Sequence, residues 1–302
     1  MNAAARFLTL ALAAGGLSAA AALATPRERA PVRFGHADLA TGIRVRYAEA
    51  GDPSAEPVIL LHGYSDSWYS FSPIMPLLES RYRLVAIDQR GHGASEQPAS
   101  GYRLSDLAAD VVAFMDEMRI ERATIVGHSM GSLVAQQLGL IAPERIERLV
   151  LIGSGTDFEQ MNDLDAFAEV VNGLTDPVSL EFIRSFQEST IHHPVPKEFL
   201  DSVIGESTRL SARVWKALLH GMLATPPANE LGEKGIPTLL VWGENDSVFP
   251  DANRDALAGR LPAAERIDYE DTGHATHWER PDQFAEDLDD FIRRTPAWGG
   301  AR

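Results

Sequence analysis

Short runs of consecutive apolar residues alternate with stretches of mixed polarity from residue 31 onward. Four such runs cover residues 58–61, 84–87, 123–126 and 149–152. Apolar runs without polar alternation are typical of strands that are buried on both faces of a sheet. The sequence therefore predicts an α/β fold, in which helices cover both faces of a mostly parallel sheet.

Helical periodicity separates the second run from the third. Apolar residues there recur at steps of three and four, which predicts a helix with one apolar face. These residues are Leu104, Leu107, Ala108, Val111, Phe114, Met115 and Met118. The helix has the length and position expected of a crossover connection between two parallel strands.

Further strands are predicted at both ends of the chain. Residues 32–39 and 43–50 flank Thr41-Gly42, a sequence typical of a hairpin turn. Two more strands are predicted at residues 238–242 and 266–269. Together these segments predict a doubly wound, mostly parallel sheet of about eight strands.

The alternation of strand and helix stops after residue 152. Residues 155–232 show helical patterns and no convincing strand, which predicts a helical cap inserted into the sheet domain. Prolines interrupt this segment at Pro177, Pro194, Pro196, Pro226 and Pro227. The alternation then resumes, with helices expected near residues 251–260 and 281–294. The predicted core comprises residues 25–154 and 233–302.

The first 24 residues have the pattern of a secretory signal peptide. A single charge, Arg6, precedes an apolar run from residue 7 to residue 23, and Ala22-Leu23-Ala24 is a small-x-small cleavage site. We expect cleavage after Ala24 and a secreted or periplasmic protein; an uncleaved membrane anchor is the alternative. Later apolar runs are short, so no stable membrane insertion is expected after cleavage.

Charge and cysteine content exclude several classes of function. The chain has 43 acidic and 27 basic residues and a net charge of -16, which repels nucleic acid and anionic lipid. It contains no cysteine, so disulfides, thiol nucleophiles and thiolate metal sites are excluded. Adjacent His192 and His193 are expected to diverge, and no other histidines have ligand spacing. The sequence predicts no metal and no cofactor, and it carries no signal for oligomeric state.

The sequence Gly127-His128-Ser129-Met130-Gly131 follows one predicted strand and opens a helix that extends to about residue 141. A serine on so sharp a turn needs small residues two positions before and after it, because strand and helix approach closely. Ser129 is therefore a candidate nucleophile. The alternative is a glycine-rich turn that carries an ordinary surface serine.

With this motif the chain resembles the α/β-hydrolase family over nearly all of residues 31–294. The resemblance implies that His62-Gly63-Tyr64 forms an oxyanion loop, in which the backbone N–H groups of Tyr64 and Met130 stabilise developing negative charge. His62 itself is expected to be structural. The turn Asp88-Gln89-Arg90-Gly91-His92-Gly93 matches a family turn whose residues are scaffold.

A serine hydroxyl needs a base, and the base needs an orienting carboxylate. The family resemblance implies Asp246, after the strand at residues 238–242, as the acid. It implies His274, after the strand at residues 266–269, as the base. The order Ser, Asp, His agrees with the family. Glu244 and Asp271 are neighbouring carboxylates that remain alternatives to Asp246.

Ser129 stands where dehalogenases and epoxide hydrolases of the family carry aspartate, which favours an acyl intermediate. Hydrolysis of a neutral, fairly apolar ester or lactone is the expected reaction, because no cluster of Lys or Arg marks a site for an anion. Perhydrolase or haloperoxidase-like chemistry, C–C bond, amide or peptide cleavage, and ligand binding without turnover remain open. The residues expected to line the small-molecule pocket are Trp68, Tyr69, His128, Phe158, Phe186, Trp215 and Phe249.

Overall fold

A computed structural model describes residues 31–300 of the chain. The predicted signal peptide, residues 1–24, lies outside the described residues. A single eight-stranded sheet has the order β1-β2-β4-β3-β5-β6-β7-β8. Its strands are β1 Arg33–Asp38, β2 Arg44–Ala50, β3 Glu56–Leu61, β4 Tyr82–Ile87, β5 Ala123–His128, β6 Ile146–Ile152, β7 Thr238–Gly243 and β8 Glu265–Tyr269.

Strand direction follows the prediction of a mostly parallel sheet. Strand β2 pairs antiparallel with both β1 and β4, and every other pairing is parallel. The β1–β2 hairpin turns at Gly42, whose φ of 84° suits glycine. Because the remaining strands run in one direction, their carboxyl ends lie along one edge, where α/β folds place their ligands.

Helices cover both faces of the sheet, because successive residues of each strand point to opposite faces. Ile59 and Leu61 join a core that includes residues of helices α2 Leu104–Glu117, α3 Met130–Ile141 and α8 Asp251–Arg260. Val58 and Leu60 join a second core with helices α1 Met75–Leu78 and α10 Pro281–Arg294. The sheet is therefore doubly wound, as predicted.

Residues 155–232, called the helical segment below, lie between β6 and β7. They form helices α4 Leu164–Gly173, α5 Leu180–Ser189, α6 Lys197–Ser207 and α7 Ala212–Leu223, and the described residues from 153 to 237 contain no strand. Apolar side chains of this segment, such as Ile183 and Trp215, pack into the same core as α2 and α3. Phe199 and Val203 of α6 pack instead in a separate cluster with Ala275 and Trp278, so the segment contacts the sheet domain at more than one place.

The short helix α9, Thr276–Glu279, follows β8 and precedes α10. Within residues 31–300, no helix combines the length and apolar character needed to cross a membrane.

Candidate active site

Ser129 lies on a sharp turn at the carboxyl edge of the sheet. Strand β5 ends at His128 and helix α3 begins at Met130, so Ser129 alone joins them. Its φ of 51° and ψ of -118° are costly for a residue with a side chain. The turn is held because the Ser129 N–H donates to the Ile152 carbonyl over 2.9 Å. Such strain is characteristic of functional positions.

Two glycines make the turn possible. A Cβ atom on Gly127 would overlap the carbonyl oxygen of Gly131. A Cβ on Gly131 would overlap the carbonyl oxygen of Leu61, in the neighbouring strand β3. Both separations would be far inside van der Waals contact, so no larger residue fits at either position without moving backbone. This is the physical reason for the glycine spacing in the motif.

Asp246 and His274 meet beside this turn. Asp246 follows β7 and His274 follows β8, two neighbouring parallel strands. The Nδ1 atom of His274 donates to Asp246 Oδ2 over 2.9 Å, and both side chains are almost completely buried. A Cβ on Gly153 would lie 2.9 Å from Nδ1 of His274, so this glycine lets the imidazole approach the sheet.

The charge of Asp246 is stabilised from several sides. Its Oδ1 accepts the backbone N–H groups of Val248 and Phe249, at 2.8 and 3.2 Å. Burial raises the pKa of Asp246, but the charge of His274, its hydrogen bond and these two N–H groups outweigh burial, and the pKa of Asp246 lies below its ordinary value. The carboxyl group is therefore ionised at neutral pH and fixes the ring of His274.

The two alternative carboxylates lie elsewhere. Glu244 is exposed to solvent. Asp271 is also exposed, and its carboxylate contacts both His192 Nε2 at 3.1 Å and His193 Nε2 at 2.5 Å. The expectation that the side chains of His192 and His193 diverge is wrong. The two residues lie in irregular backbone between α5 and α6, where adjacent side chains need not point in different directions as they do in a helix or strand.

Three imidazole rings form a row at the site. His128 lies with its ring centre 5.0 Å from that of His274 and 4.6 Å from that of His277. Burial lowers the pKa of His128 and lowers that of His277 further. Within the described residues, His274 is the ring of this row that is hydrogen-bonded to a carboxylate. Its Nε2 atom is buried and has no hydrogen-bond partner there.

The loop after β3 brings a further candidate group to the site. Tyr64 is buried there, and its hydroxyl donates to the carbonyl of Trp215 in α7 over 2.6 Å. Met130 is the first residue of α3, where backbone N–H groups have no acceptor within the helix. His62 is buried, and its Nε2 accepts the Gln89 N–H at 3.1 Å, tying this loop to the one after β4.

The matched scaffold turn contributes no side chain to the cavity described next. Asp88 is buried and accepts the N–H groups of Trp68 and Ala94, at 2.8 and 3.0 Å. Arg90 pairs with Asp110 through two hydrogen bonds of 2.5 and 2.6 Å. The turn therefore braces the loops behind the site.

A cavity of about 270 Å³ opens over Ser129 and His274. Its apolar wall combines residues of the sheet domain and of the helical segment: Tyr64, Phe158, Met161, Phe167, Phe186, Val248 and Trp278. Its other lining residues are Gly63, Asp66, His128, Asn162, Asp163, Gln187, Ser189, Thr190 and Ser247. The volume is just below the usual range for sites of small molecules, so a small substrate or a short acyl group fits.

Of the pocket residues predicted from sequence, His128, Phe158 and Phe186 line this cavity. The other four do not. Trp68 packs edge-on against Phe34, and Tyr69 stacks on Phe199.

The remaining two of these four, Trp215 and Phe249, are fully buried behind the cavity wall. Trp215 packs against Tyr64 and Phe186, and Phe249 packs against Phe158 and His274. They support the lining and do not form it. Apolar character alone did not distinguish the two roles.

The sequence prediction missed polar lining residues, above all Asp66 and Gln187. Asp66 lies two residues after Tyr64, and this closeness to the oxyanion loop was the available signal. Gln187 occupies a buried position of α5, an otherwise amphipathic helix, and no sequence pattern marks it. In residues 31–300, no group of three or more His, Cys, Asp or Glu side chains has the arrangement of a metal site.

Comparisons with known proteins agree with this architecture. The family model for the alpha/beta hydrolase fold matches residues 56–281. A 2-hydroxy-6-oxononadienedioate/2-hydroxy-6-oxononatrienedioate hydrolase of Klebsiella pneumoniae is 30% identical over 281 residues, covering 83% of this chain and 92% of that protein. A dihydrolipoyllysine-residue acetyltransferase component of an acetoin cleaving system, from Cupriavidus necator, is 31% identical and covers 85% of this chain and 68% of its own length.

Among solved structures, an esterase from Rhodococcus sp. ECU1013 superposes with a TM-score of 0.77 and 25% identity. The match covers 86% of this chain and 98% of that one. The family model spans most of the chain, and the matched region contains the strained serine turn and the Asp246–His274 pair. The chain belongs to the α/β-hydrolase family.

Proposed function

We propose that this chain is a serine hydrolase that cleaves a neutral, fairly apolar carboxylic ester or lactone. In this proposal Ser129 is the nucleophile, His274 the general base and Asp246 the residue that orients the base. The observation that carries it is the state of the His274 ring. Its Nδ1 is held by Asp246, and its Nε2 has no described partner in the cavity that Ser129 also lines.

The first half of the reaction forms an acyl-enzyme. Ser129 Oγ attacks the substrate carbonyl carbon as its proton passes to Nε2 of His274. Ionised Asp246 stabilises the imidazolium that results. The backbone N–H groups of Tyr64 and Met130 would stabilise the oxyanion, and the loss of one such donor typically costs about 10²–10³ in rate.

The second half releases the product and regenerates the serine. The imidazolium of His274 gives its proton to the departing alkoxide, so that the alcohol leaves. A water molecule then loses a proton to the same ring and attacks the acyl carbon. Collapse of this second intermediate returns the proton to Ser129 and frees the acid. No metal or cofactor takes part in these steps.

The composition of the cavity wall supports a neutral substrate. Its lining contains no Lys or Arg, whereas Asp66 and Asp163 contribute to it. A dicarboxylate, such as the dioate named for the Klebsiella relative, would find no counter-charge there. The apolar side chains of the wall favour an aliphatic or aromatic acyl group instead. The similarity to the Rhodococcus esterase is consistent with an ester substrate.

We also propose that the helical segment acts as a cap that sets substrate choice. It contributes Phe158, Met161, Phe167, Phe186 and Gln187 to the cavity wall. It is hydrogen-bonded to the catalytic loops, because the Ala275 N–H donates to the Thr190 carbonyl over 3.1 Å. Exchange of this segment should alter selectivity among esters while Ser129 and His274 keep their positions.

Covalent labelling provides the direct test of the nucleophile. A fluorophosphonate probe should label the protein once, at Ser129, and the Ser129→Ala variant should remain unlabelled. Stoichiometric labelling without turnover of any substrate would instead support a ligand-binding protein of this fold.

A substrate screen tests the reaction class. p-Nitrophenyl esters of increasing acyl length, lactones, anilides and a C–C bond substrate should be compared at one enzyme concentration. We expect short-chain esters or lactones to give the highest kcat/KM. Faster cleavage of the anilide or of the C–C substrate would reassign the reaction on the same residues.

Secretion is the proposal with the simplest test. The first residues of the protein purified from outside the cytoplasm should begin at Thr25, directly after the predicted cleavage site. A protein that keeps residues 1–24 and fractionates with membranes would support the anchor instead.

A further inference from the structure

A polar corner interrupts the apolar wall of the cavity. It consists of Asp66 from the loop after β3, His128 at the end of β5 and Gln187 from α5. All three side chains are buried, with 3%, 2% and 1% of their surface exposed, and all three line the cavity. Burying polar groups costs free energy unless each finds a partner, so their remaining hydrogen-bonding capacity is informative.

Only one oxygen of the Asp66 carboxylate has a hydrogen-bond partner within this corner. Its Oδ1 accepts a hydrogen bond from Gln187 Nε2 over 3.0 Å. Its Oδ2 faces Nδ1 of His128 at 3.8 Å, which is beyond hydrogen-bonding distance. The pair is therefore open: the two atoms face each other without a direct bond.

His128 has more unused capacity. Neither of its ring nitrogens has a hydrogen-bond partner among the described residues, although both are buried. Burial lowers the pKa of His128 against the opposing effect of Asp66, so the ring is neutral at neutral pH. A neutral imidazole offers one donor and one acceptor.

Gly63 borders the gap between these two groups and also lines the cavity. A Cβ atom on Gly63 would lie 3.0 Å from Asp66 Oδ2 and 3.0 Å from His128 Nδ1. A side chain at this position would fill the gap between the two groups. An oxygen atom at about 2.8 Å from both facing atoms completes a triangle with them.

We propose that Asp66 and His128 form a specificity site for a hydroxyl group of the substrate, close to the scissile carbonyl. This inference rests on the proposed function of Ser129, which directly follows His128 in the chain. A hydroxyl can accept from His128 Nδ1 and donate to Asp66 Oδ2 at the same time. The favoured substrates are then neutral hydroxyacyl esters, or lactones that carry a hydroxyl group.

Other substrate groups satisfy the corner less well. A keto or ether oxygen accepts from His128 but gives Asp66 no donor. A carboxylate is repelled by Asp66. An ammonium group can donate to Asp66, but it loses more hydration than a hydroxyl on entering a largely apolar cavity. The hydroxyl is the neutral group that matches both facing atoms.

The test compares phenyl esters that share one leaving group. Butyrate, 2-hydroxybutyrate, 3-hydroxybutyrate and 3-aminobutyrate esters should be assayed with the wild-type protein. We expect kcat/KM for one hydroxyacyl ester to exceed that for butyrate by about tenfold or more, since polar sites discriminate strongly against substrates that leave them unpaired. Equal values, or a preference for the amino ester, would overturn the inference.

Asp66→Asn identifies the acceptor. In this variant the carbonyl oxygen of the new side chain would face Gln187, and its NH₂ group would then replace the acceptor with a donor on the side of His128. Whatever the effect on absolute rates, the ratio of hydroxyacyl to acyl kcat/KM should fall to near one. The matched control is Asp163→Asn, which changes the same charge at another lining position and should keep the wild-type ratio.

Gly63→Ala supplies an independent variant, because its methyl group would occupy the gap without removing either polar group. It too should bring the ratio to near one; an unchanged ratio in both variants would overturn the inference. Failure of the proposed function looks different. In that case neither ester is hydrolysed and Ser129 is not labelled, whereas failure of this inference alone leaves both esters hydrolysed at similar kcat/KM.

Discussion

Two carboxylate–imidazole pairs lie at the same cavity, and they differ in the distance between carboxylate and ring. Asp246 Oδ2 lies 2.9 Å from Nδ1 of His274, whereas Asp66 Oδ2 lies 3.8 Å from Nδ1 of His128. The first pair is closed by a direct hydrogen bond, and the second is open. In the two proposals above, the closed pair therefore orients a general base, whereas the open pair binds a substrate hydroxyl.

The difference follows from what supports each pair. Each pair spans the ends of two adjacent strands, β7 and β8 for the closed pair, β5 and β3 for the open pair. The closed pair is fixed by backbone, since two N–H groups bind the second oxygen of Asp246. In the open pair that second oxygen is bound by Gln187 of the helical segment. The sheet domain alone thus holds the closed pair, while the open pair depends on both the sheet domain and the helical segment.

Removal of the proposed nucleophile should have the largest effect. We predict that Ser129→Ala lowers kcat on a short ester by at least about 10⁴, because a triad works as a unit. Ala meets the same strained φ at position 129 as Ser does, so the variant should be about as stable as the wild type. The measurement is steady-state hydrolysis together with urea unfolding. A variant that retains most of its rate would remove Ser129 from the mechanism.

Replacement of Asp246, the carboxylate of the closed pair, should have the second largest effect. We predict that Asp246→Asn lowers kcat by about 10³–10⁴, because the amide removes the charge and can hold the ring of His274 in the wrong tautomer. Glu244→Gln and Asp271→Asn are the matched controls, since both carboxylates are exposed and neither contacts His274.

Asp66→Asn extends the same series to the open pair, and its effect on kcat for an unhydroxylated ester should be smaller than about tenfold. If Asp246→Asn lowers kcat less than Asp66→Asn does, the different roles proposed for the two pairs are contradicted.

The two pairs also show how much of the site could be predicted from the sequence. The closed pair is assigned through the family resemblance, which places the acid after one late strand and the base after the next. Asp246 and His274 meet because the carboxyl ends of the parallel strands β7 and β8 lie at one edge. The bounds of helices α8 and α10 agree with prediction, and Pro250 and Pro281 stand at their amino ends. Local pattern was sufficient wherever the backbone is regular.

The open pair and most of the pocket lining could not be predicted from local sequence patterns. Asp66 lies in a loop and Gln187 is a single buried polar residue, so neither repeats with a period. The sequence places Trp68, Tyr69, Trp215 and Phe249 in the pocket, and none of them lines the cavity, because whether an apolar side chain lines a cavity or packs behind it depends on tertiary contacts. A pattern of apolar residues predicts which side chains are buried, but it does not predict the direction in which a loop side chain points.

A change in the helical segment should affect selectivity more than rate. Phe186 lines the cavity and packs against Tyr64 and Trp215, with ring centres 5.8 and 5.4 Å away. We predict that Phe186→Leu deepens the cavity and shifts kcat/KM toward longer acyl chains by about tenfold, the effect of roughly one methylene group. Leu180→Ala, an exposed position of the same helix α5, should leave the acyl preference unchanged. If both variants shift it equally, the effect does not come from the wall of the cavity.

The smallest effect concerns stability against pH and distinguishes the two imidazole environments. Burial lowers the pKa of His128, so this side chain takes up its proton at a lower pH in the native state than in the unfolded chain, where its ordinary pKa is about 6.5. The unfolded state then binds more protons, and the free energy of unfolding falls as the pH drops from 6.5 toward the native pKa, by up to about 1.4 kcal/mol per pH unit. His62, His92 and His277 add to this slope in the same direction.

Asp246 acts in a different pH range. Its lowered pKa contributes stability that is complete above the unfolded value of about 3.9 and is lost as the pH falls through the native value. Between pH 6.5 and 5.5 the histidines therefore dominate. We predict that His128→Asn, which cannot titrate, reduces the loss of unfolding free energy over this range relative to wild type, by at most about 1 kcal/mol. The measurement is urea unfolding at both pH values for the two proteins, with Asp163→Asn as a control that should show the wild-type slope. Parallel curves for His128→Asn and wild type would mean that His128 is protonated in the native state, and the open pair would then be an ion pair with no capacity left for a substrate hydroxyl.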